Sequence, residues 1–195
     1  MTETELPAAR KAMIDSQLRT SGVNEPFVLA RMAAVAREDF VPAAQRPIAY
    51  IDRAVPLGGG AYLAAPLVHG RMLAEARPVA TDTALVVDGG CGYLAALLRP
   101  LVGSLDTIPA EQAAQAKRGR KSYTLIVVDG AIEHLPDALV ARLAEGGRIV
   151  TGLVERGVTR LATGRKVAGA ATLQSLADIG MPVLHAFDRP KEWSF

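Results

Sequence analysis

The chain has 195 residues, half of them hydrophobic, and its 22 Lys and Arg residues against 20 Asp and Glu residues leave a formal net charge of +2. This length suits one well-packed domain, and the near balance of charge argues against a general attraction to nucleic acid or to an anionic membrane. With no such attraction, a small molecule or a protein is the expected substrate. The single cysteine, Cys91, excludes an intrachain disulfide and a cysteine-based zinc cluster, and we predict no metal site.

Residues 1–80 are predicted to form a helical extension and a long loop. Residues 81–195 are predicted to form the main core, and both parts belong to one compact domain. Apolar residues recur at helical spacing in residues 5–21, from Pro26 to Val35 and from Ala65 to Ala76. The N-terminus lacks the apolar centre of a signal peptide, and no run approaches the roughly 18 apolar residues of a membrane span. We therefore expect a cytoplasmic protein.

The segment from Phe40 to Ala61 interrupts these helical patterns. It is rich in Pro and Gly, it ends in the run Pro56-Leu57-Gly58-Gly59-Gly60, and it shows no periodic pattern. We predict a long connecting loop. Because long loops inside compact domains are usually functional, we expect this one to line or cover a ligand site.

From Thr83 onward, short apolar runs alternate with helical patterns, which is typical of a parallel sheet with right-handed crossovers. The run Leu125–Val128 has no polar alternation, so both faces of its strand should be covered. The predicted strands are 84–87, 103–105, 123–128 and 148–154, and the predicted helices are Tyr93–Leu101, Ala110–Lys117 and Pro136–Ala144. Beyond Val154, the pattern predicts antiparallel strands at Val158–Lys166 and Val183–Phe187 around a helix or turn at Leu173–Ile179.

A glycine-rich turn, Asp88-Gly89-Gly90-Cys91-Gly92-Tyr93, follows the first of these strands and opens a helix. This is the context of a cofactor-binding turn, in which glycines let the backbone approach a ligand closely. The spacing Gly90-x-Gly92-x-x-Ala95 also satisfies the dinucleotide fingerprint. The turn alone therefore does not separate a nicotinamide cofactor from S-adenosylmethionine, and a tight turn without a ligand is the third interpretation.

Two acidic residues follow other predicted strands. Asp106 ends the short apolar stretch after the first crossover, where a carboxylate can accept hydrogen bonds from both ribose hydroxyls of an adenosine cofactor. A capping role before Pro109 explains Asp106 equally well. Asp129 and Gly130 end a strand at the carboxyl edge of the sheet, where open α/β folds bind ligands, and their alternative role is that of turn residues.

The three histidines, His69, His134 and His185, stand at no metal-ligand spacing from one another. We expect each of them to be exposed to solvent or to cap a helix. The basic run Lys117–Lys121 is best explained as a solvated helix end and loop, because no aromatic residues are interleaved with its charges as they are in nucleic-acid sites.

Short motifs spread over nearly the whole chain match one known family. Several lie outside any Rossmann-like core, which makes the match specific. They are residues 13–19, 21–23, 28–29, 40–42, 49–53 and 56–58, Pro66, residues 90–93, 106–109 and 146–148. Together these segments resemble the protein-L-isoaspartate (D-aspartate) O-methyltransferase family.

The resemblance implies an α/β, Rossmann-like methyltransferase fold, with a mostly parallel sheet, antiparallel C-terminal strands and an N-terminal helical extension. It also implies methyl transfer from S-adenosylmethionine to the α-carboxylate of isoaspartyl residues in damaged proteins. A carboxylate is already ionised at neutral pH, so proximity and desolvation can supply most of the acceleration without a strong base. The implied cofactor-binding residues are Asp88, Gly89, Gly90, Gly92, Tyr93, Asp106, Asp129 and Gly130.

The chain departs from the family pattern at the site. Family members carry a Gln-Thr-x-Ser-Gln-Pro stretch where this chain has Ala61-Tyr62-Leu63-Ala64-Ala65-Pro66. Tyr62 keeps the one side-chain hydroxyl of that stretch and Ala64 takes the position of the family serine, so we assign the catalytic positions to these two residues. Val86 matches the acid of the family's first strand, and Asp88 matches the first glycine of its turn. Asp88 can therefore replace the lost acid.

The chain is also shortened after Asp106. Sixteen residues separate Asp106 from Tyr123, where the family fits a helix, a third strand and a loop on the adenine side. The predicted helix Ala110–Lys117 uses half of that length, and too few residues remain for a strand of usual size. We therefore expect the edge strand to be absent, which leaves the strand before it as the new edge of the sheet.

Three hypotheses of function follow from these motifs. The first is a protein-L-isoaspartate O-methyltransferase that acts on isoaspartyl peptides or proteins. The second is a degenerate member of the family that serves as a binding or interaction module, which the loss of the family hydroxyls at Ala64 and its neighbours favours. The third is a dinucleotide-binding reductase, which the N-terminal motifs do not support.

Overall fold

Three helices precede the central sheet in the chain. The computed structural model describes residues 5–115 and 121–189. Its first helices are α1 (Leu6–Met13), α2 (Pro26–Ala34) and α3 (Pro66–Ala76), and a π-helical turn at Ile14–Leu18 extends α1. Each of the three begins with a proline in its first two positions, where the fixed φ favours a helix and the missing N–H needs no partner. The three predicted helices are confirmed.

The segment predicted as a plain loop contains a small hairpin. Strand β1 (Val55–Gly58) pairs antiparallel with β2 (Ala61–Leu63) across a turn at Gly59 and Gly60, whose φ angles of +60° and +84° favour glycine. The prediction of a continuous loop is wrong here. Strands of four and three residues are too short to show alternation, and the Pro and Gly residues within them predict turns.

The described residues form one six-stranded sheet in the order β4-β3-β5-β6-β7-β8. Neighbouring strands are parallel from β4 to β6 and antiparallel from β6 to β8. The strands are β3 (Thr83–Asp88), β4 (Ser104–Pro109), β5 (Tyr123–Ile132), β6 (Leu143–Glu155), β7 (Val158–Val167) and β8 (Ala170–Asp178). The predicted fold class, a mostly parallel sheet with antiparallel C-terminal strands, is confirmed.

The central strands β3 and β5 are buried on both faces of this sheet. Val86 of β3 belongs to a large core cluster that also contains residues of α1, α2 and α3, while Leu85 and Val87 belong to a second cluster on the opposite face. The crossover helices are α4 (Tyr93–Leu98), α5 (Ala110–Ala114) and α6 (Asp137–Arg142). In the described part of the chain, no helix is long and apolar enough to cross a membrane.

Strand β4 is the outermost strand on its side of the described sheet. Among residues 5–115 and 121–189, no strand pairs with the outer edge of β4, as expected from the short segment after Asp106. Helix α5 ends at Ala114, earlier than predicted. Gln115 forms a turn after this helix, and residues 116–120, which include the end of the predicted helix and most of the basic run, lie outside the described residues.

Two predictions near the C-terminus are wrong. Residues 173–179, predicted as a helix or turn, belong mostly to strand β8. Residues 183–187, predicted as a strand, make a single parallel bridge from Val183 to Ala131 and then a 3-10 turn at His185–Phe187. Strand β8 is an edge strand that is largely exposed, so its hydrophobic pattern is weak. Phe187 is fully buried, so the apolar character of its segment reflects core packing and not strand pairing.

Candidate functional site

A cleft of about 430 Å³ opens at the carboxyl ends of β3 and β4. Its walls come from four segments. They are the glycine turn at 88–90, the hairpin tip at 59–61, the start of α5 at 109–111 and the C-terminal segment at 183–186. A larger depression of about 820 Å³ surrounds the β6–β7 turn, but no residue of the glycine turn lines it. The cleft at the turn is therefore the candidate site, as expected for an open α/β sheet.

The glycine turn needs its glycines because other chain segments approach it closely. A Cβ added at Gly89 would lie 2.2 Å from the carbonyl oxygen of Asp129, and one added at Gly90 would lie 2.9 Å from the Cβ of Ala61. Gly90 and Gly92 also have φ angles of +122° and +73°, which side chains disfavour. The turn therefore lies in close contact with Asp129 of β5 on one side and with the hairpin tip on the other.

Asp88 lines the cleft at the end of β3. Its Oδ1 accepts a hydrogen bond of 2.9 Å from the backbone N–H of Gly92. Burial raises the pKa of Asp88 and the charge of Asp129 adds to that rise, while the N–H of Gly92 partly offsets it. Burial likewise raises the pKa of the Cys91 thiol to about 12, so Cys91 is not a thiolate nucleophile at neutral pH.

A buried chain of hydrogen bonds lies behind the turn. The guanidinium of Arg37, which is fully buried, donates to the carbonyls of Ala49 and Ala64 at 2.8 and 2.7 Å and lies 3.3 Å from Nδ1 of His69. Because arginine can only donate, Nδ1 of His69 accepts and Nε2 carries the proton. Nε2 then donates to Oδ1 of Asp129 at 3.0 Å. The expectation that His69 is exposed or caps a helix is wrong.

Tyr93 belongs to the core behind the cleft. Its side chain is fully buried and meets the rings of Phe40 and His69 edge-on, with centroids 5.2 and 5.1 Å apart. The guanidinium carbon of Arg37 lies 4.9 Å from the centre of the Tyr93 ring. The side chain of Tyr93 therefore supports the turn from below and does not line the cleft.

Asp106 lies away from the cleft. It pairs in register with Leu85, three positions before the Asp88–Pro109 pair at the carboxyl ends of the strands. Its carboxylate makes an ion pair of 2.5 Å with Nζ of Lys121 and accepts a hydrogen bond of 2.7 Å from the Tyr123 hydroxyl. These two hydrogen bonds lower the pKa of Asp106.

Glu111 is the acid that the structure places at the cleft on the β4 side. It lies in the first turn of α5, just after the end of β4, and is exposed. Sequence reasoning missed it. An acid in the first helical turn after a predicted strand is a usable signal, but Asp106 fitted the same role without knowledge of where β4 ends.

The remaining predicted site residues lie in or just after the hairpin and within β5. The prediction that Asp129 and Gly130 end their strand is wrong, because β5 continues to Ile132. Tyr62 of β2 is 44% exposed, whereas Ala64 is buried and its carbonyl accepts from Arg37. Neither lines the cleft, although their neighbour Ala61 does. Gly130 packs against the cleft's C-terminal wall, since a Cβ there would lie 2.6 Å from Cγ of Leu184.

The structure therefore brings together part of the predicted set. Asp88, Gly89 and Gly90 line the cleft, while Gly92 and Asp129 lie directly behind it. The cleft wall offers main-chain atoms, the carboxylates of Asp88 and Glu111 and the imidazole of His185. This arrangement suits a ligand that carries a cationic group and hydroxyl groups. No group of three His, Cys, Asp or Glu side chains in the described residues is placed to hold a metal ion.

Comparisons with known proteins agree on one family. The family model described as protein-L-isoaspartate(D-aspartate) O-methyltransferase matches residues 8–115. A protein-L-isoaspartate O-methyltransferase from Koribacter versatilis (strain Ellin345) is 34% identical over an alignment that covers 87% of each chain. Protein-L-isoaspartate O-methyltransferase 1 from Rhodopseudomonas palustris (strain HaA2) is 33% identical over an alignment that covers 75% of this chain and 70% of that protein.

A solved structure has the same fold. It is that of a candidate protein-L-isoaspartate O-methyltransferase from Plasmodium falciparum in complex with S-adenosyl-L-homocysteine. It superposes with a TM-score of 0.73 and 18% sequence identity, over 90% of this chain and 97% of that chain. At this level of identity the likeness shows the fold alone.

Proposed function

Because the chain belongs to the protein-L-isoaspartate(D-aspartate) O-methyltransferase family, we propose that it transfers a methyl group from S-adenosylmethionine to the carboxylate of isoaspartyl residues in damaged cytoplasmic proteins. The observation that carries this proposal is the cleft at the glycine turn. It lies at the carboxyl ends of β3 and β4, where Rossmann-like folds bind their cofactors.

The cofactor would lie against the glycine turn. Gly89 and Gly90 leave the backbone of the turn open to the methionine portion of S-adenosylmethionine. Gly92 permits the left-handed conformation that starts α4. We assign the ribose hydroxyls to Glu111 and not to Asp106, because Glu111 lines the cleft and the Asp106 carboxylate is engaged by Lys121. When bound, S-adenosylmethionine supplies a methyl group activated by its sulfonium.

The protein's own contribution to the reaction is positioning. An acceptor carboxylate is ionised at neutral pH and needs no general base, so the chain has to hold the carboxylate in line with the methyl group and exclude water. The hairpin that carries Tyr62 abuts the glycine turn through Ala61 and Gly90. We propose that this hairpin forms the acceptor side of the site, with the Tyr62 hydroxyl as its polar group.

A second candidate function is that of a binding module that keeps the fold without catalysis. The segment Ala61–Pro66 supports it, because Ala61, Ala64 and Ala65 provide no polar side chain at positions where the family pattern that the chain resembles has polar residues. The family assignment does not support the hypothesis of a dinucleotide-binding reductase, because the family model also matches the N-terminal helices.

Methyl ester formation on a synthetic isoaspartyl peptide separates the two candidates. The purified chain is incubated with S-adenosylmethionine and either an isoaspartyl peptide or the matching aspartyl peptide, and the products are analysed by mass spectrometry. We expect an ester on the isoaspartyl peptide alone, lost in Gly90→Arg. Binding of S-adenosylmethionine without ester formation would instead support the binding module.

A further inference from the structure

Asp88 places a carboxylate in the wall of the cleft, at the position where the related sequences have the first glycine of the turn. The preceding inward-facing residue of β3, Val86, is fully buried and takes the place of the family's strand acid. The backbone N–H of Gly92 fixes one oxygen of Asp88 at 2.9 Å. The turn therefore holds a carboxyl group at a defined position in the cleft wall.

No cation among the described residues neutralises this carboxylate through an ion pair. Burial and the charge of another carboxylate, Asp129, raise the pKa of Asp88, and the backbone N–H groups of Gly92, Gly90 and Cys91 lower it. Of the other titratable groups in the cleft wall, Glu111 is also acidic, and His185 lies 3.0 Å from the Asp188 carboxylate. Arg37 lies behind the turn and is hydrogen-bonded to main-chain carbonyls and to His69. A cationic group on a bound ligand would offset the negative charge of the two acidic side chains in the cleft wall, Asp88 and Glu111.

The substrate and product forms of the proposed cofactor differ in one charge. S-adenosylmethionine carries a sulfonium, and S-adenosylhomocysteine has a neutral thioether in its place. In the reaction, the bond between sulfur and methyl breaks as the bond between methyl and the acceptor oxygen forms. The sulfonium becomes a thioether and the carboxylate becomes an ester, so total charge is conserved. A nearby carboxylate in a partly desolvated cleft attracts the sulfonium and has no such attraction for the thioether.

We propose that Asp88 is a specificity-determining residue of the cofactor site, whose carboxylate favours the sulfonium of S-adenosylmethionine over the neutral sulfur of S-adenosylhomocysteine. This inference rests on the proposed function. If Asp88 has this role, methyl transfer lowers the affinity of the cleft for the bound cofactor. Asp88 thereby limits product inhibition, because S-adenosylmethionine competes more effectively with S-adenosylhomocysteine for the cleft.

Calorimetric titration of the full chain with each of the two ligands tests this inference. Asp88→Asn keeps the shape of the side chain and an oxygen that can accept from Gly92, but removes the charge. We expect the affinity for S-adenosylmethionine to fall by about tenfold and that for S-adenosylhomocysteine to stay within about twofold of wild type. Asp88→Gly, which introduces the residue of the related sequences, should change the affinity ratio in the same direction.

Asp106→Asn is the matched control, because it removes the same charge from an acid that lies outside the cleft. Its affinity ratio should equal that of wild type. Equal weakening of both ligands in Asp88→Asn and Asp88→Gly, or no change in either, would overturn the role of Asp88 and leave the proposed function intact. Failure of the wild-type chain to bind either ligand would overturn the proposed function and this inference together.

Discussion

Nε2 of His69 donates a hydrogen bond of 3.0 Å to Oδ1 of Asp129, and both side chains are buried. This bond joins α3 of the N-terminal region to Asp129 of β5, whose carbonyl oxygen packs against Gly89. Because Arg37 donates to the other nitrogen of the imidazole, the N-terminal helical region sets the position of Asp129, which supports the glycine turn.

Replacement of His69 should cost stability in a way that depends on its hydrogen bonds. His69→Leu leaves the buried Arg37 guanidinium and the Asp129 carboxylate without their shared partner, and we expect a loss of about 3 kcal/mol in the free energy of unfolding. His69→Gln offers an oxygen to Arg37 and an N–H to Asp129, so it should lose less than about half as much. Urea denaturation measures both. Equal losses in the two variants would show that ring packing, and not the hydrogen-bonded chain, is what matters.

The Gly90→Ala variant tests whether a side chain at the turn lowers ligand affinity, beyond the loss of stability that backbone strain causes. The added Cβ would lie 2.9 Å from the Cβ of Ala61 at a φ of +122°, so the hairpin tip must move away from the turn. We expect S-adenosylhomocysteine affinity to fall at least about tenfold, together with a loss of about 1 kcal/mol in stability. Gly157→Ala is the control, since its φ is +79° and nothing lies near its added Cβ. It should lose similar stability and keep full affinity, and a similar loss of affinity would contradict the placement of the cleft.

If Glu111 binds the ribose, substitutions of Glu111 and Asp106 should affect ligand affinity differently. Glu111→Ala should weaken S-adenosylhomocysteine binding by about tenfold, because hydrogen bonds to a charged carboxylate contribute strongly. Asp106→Ala removes an exposed ion pair with Lys121, which contributes little, and should leave the affinity unchanged. Calorimetric titration of both variants decides the assignment. The reverse pattern would return the ribose role to Asp106.

Asp82 should make the stability of the fold sensitive to acid. Burial pushes the pKa of this carboxyl upward, but hydrogen bonds from Arg148, Val79 and Thr124 outweigh it, so the pKa lies below its usual value. A folded pKa below the unfolded value of about 3.9 gives stabilisation that is present above that value and is lost as the pH falls through the folded pKa.

Asp82→Asn tests this relationship. At neutral pH we expect it to lose about 2 kcal/mol of stability, because Arg148 keeps its charge without a counter-charge. In unfolding curves measured from neutral pH into the acid range, the difference between wild type and Asp82→Asn should shrink as the pH falls below about 4. A difference that stays constant with pH would contradict the lowered pKa.

Local sequence patterns predicted the strand and turn from Thr83 to Tyr93, because an uninterrupted apolar run and closely spaced glycines are local features. They did not predict the contacts of Arg37, His69 and Asp129, which are separated by 32 and 60 positions along the chain. A buried polar residue with distant partners has no pattern of its own. The sequence therefore located the turn and missed the hydrogen bonds that support it.

The choice of acid at the cleft shows the same limit. Asp106 lies at the spacing expected of a ribose-binding acid, but three further residues of β4 follow it before the strand ends at Pro109. The exact end of a strand depends on its pairing with neighbours, here the register of Asp88 with Pro109. Motif spacing alone does not contain that information, so Glu111 was identified from the structure.

The proposed cofactor site is tested most directly by calorimetric titration of the purified chain with S-adenosylmethionine. We predict saturable binding at one site per chain, which Gly90→Arg abolishes because its side chain would enter the space at the turn and hairpin tip. No detectable binding at millimolar S-adenosylmethionine, with the chain folded, would contradict it.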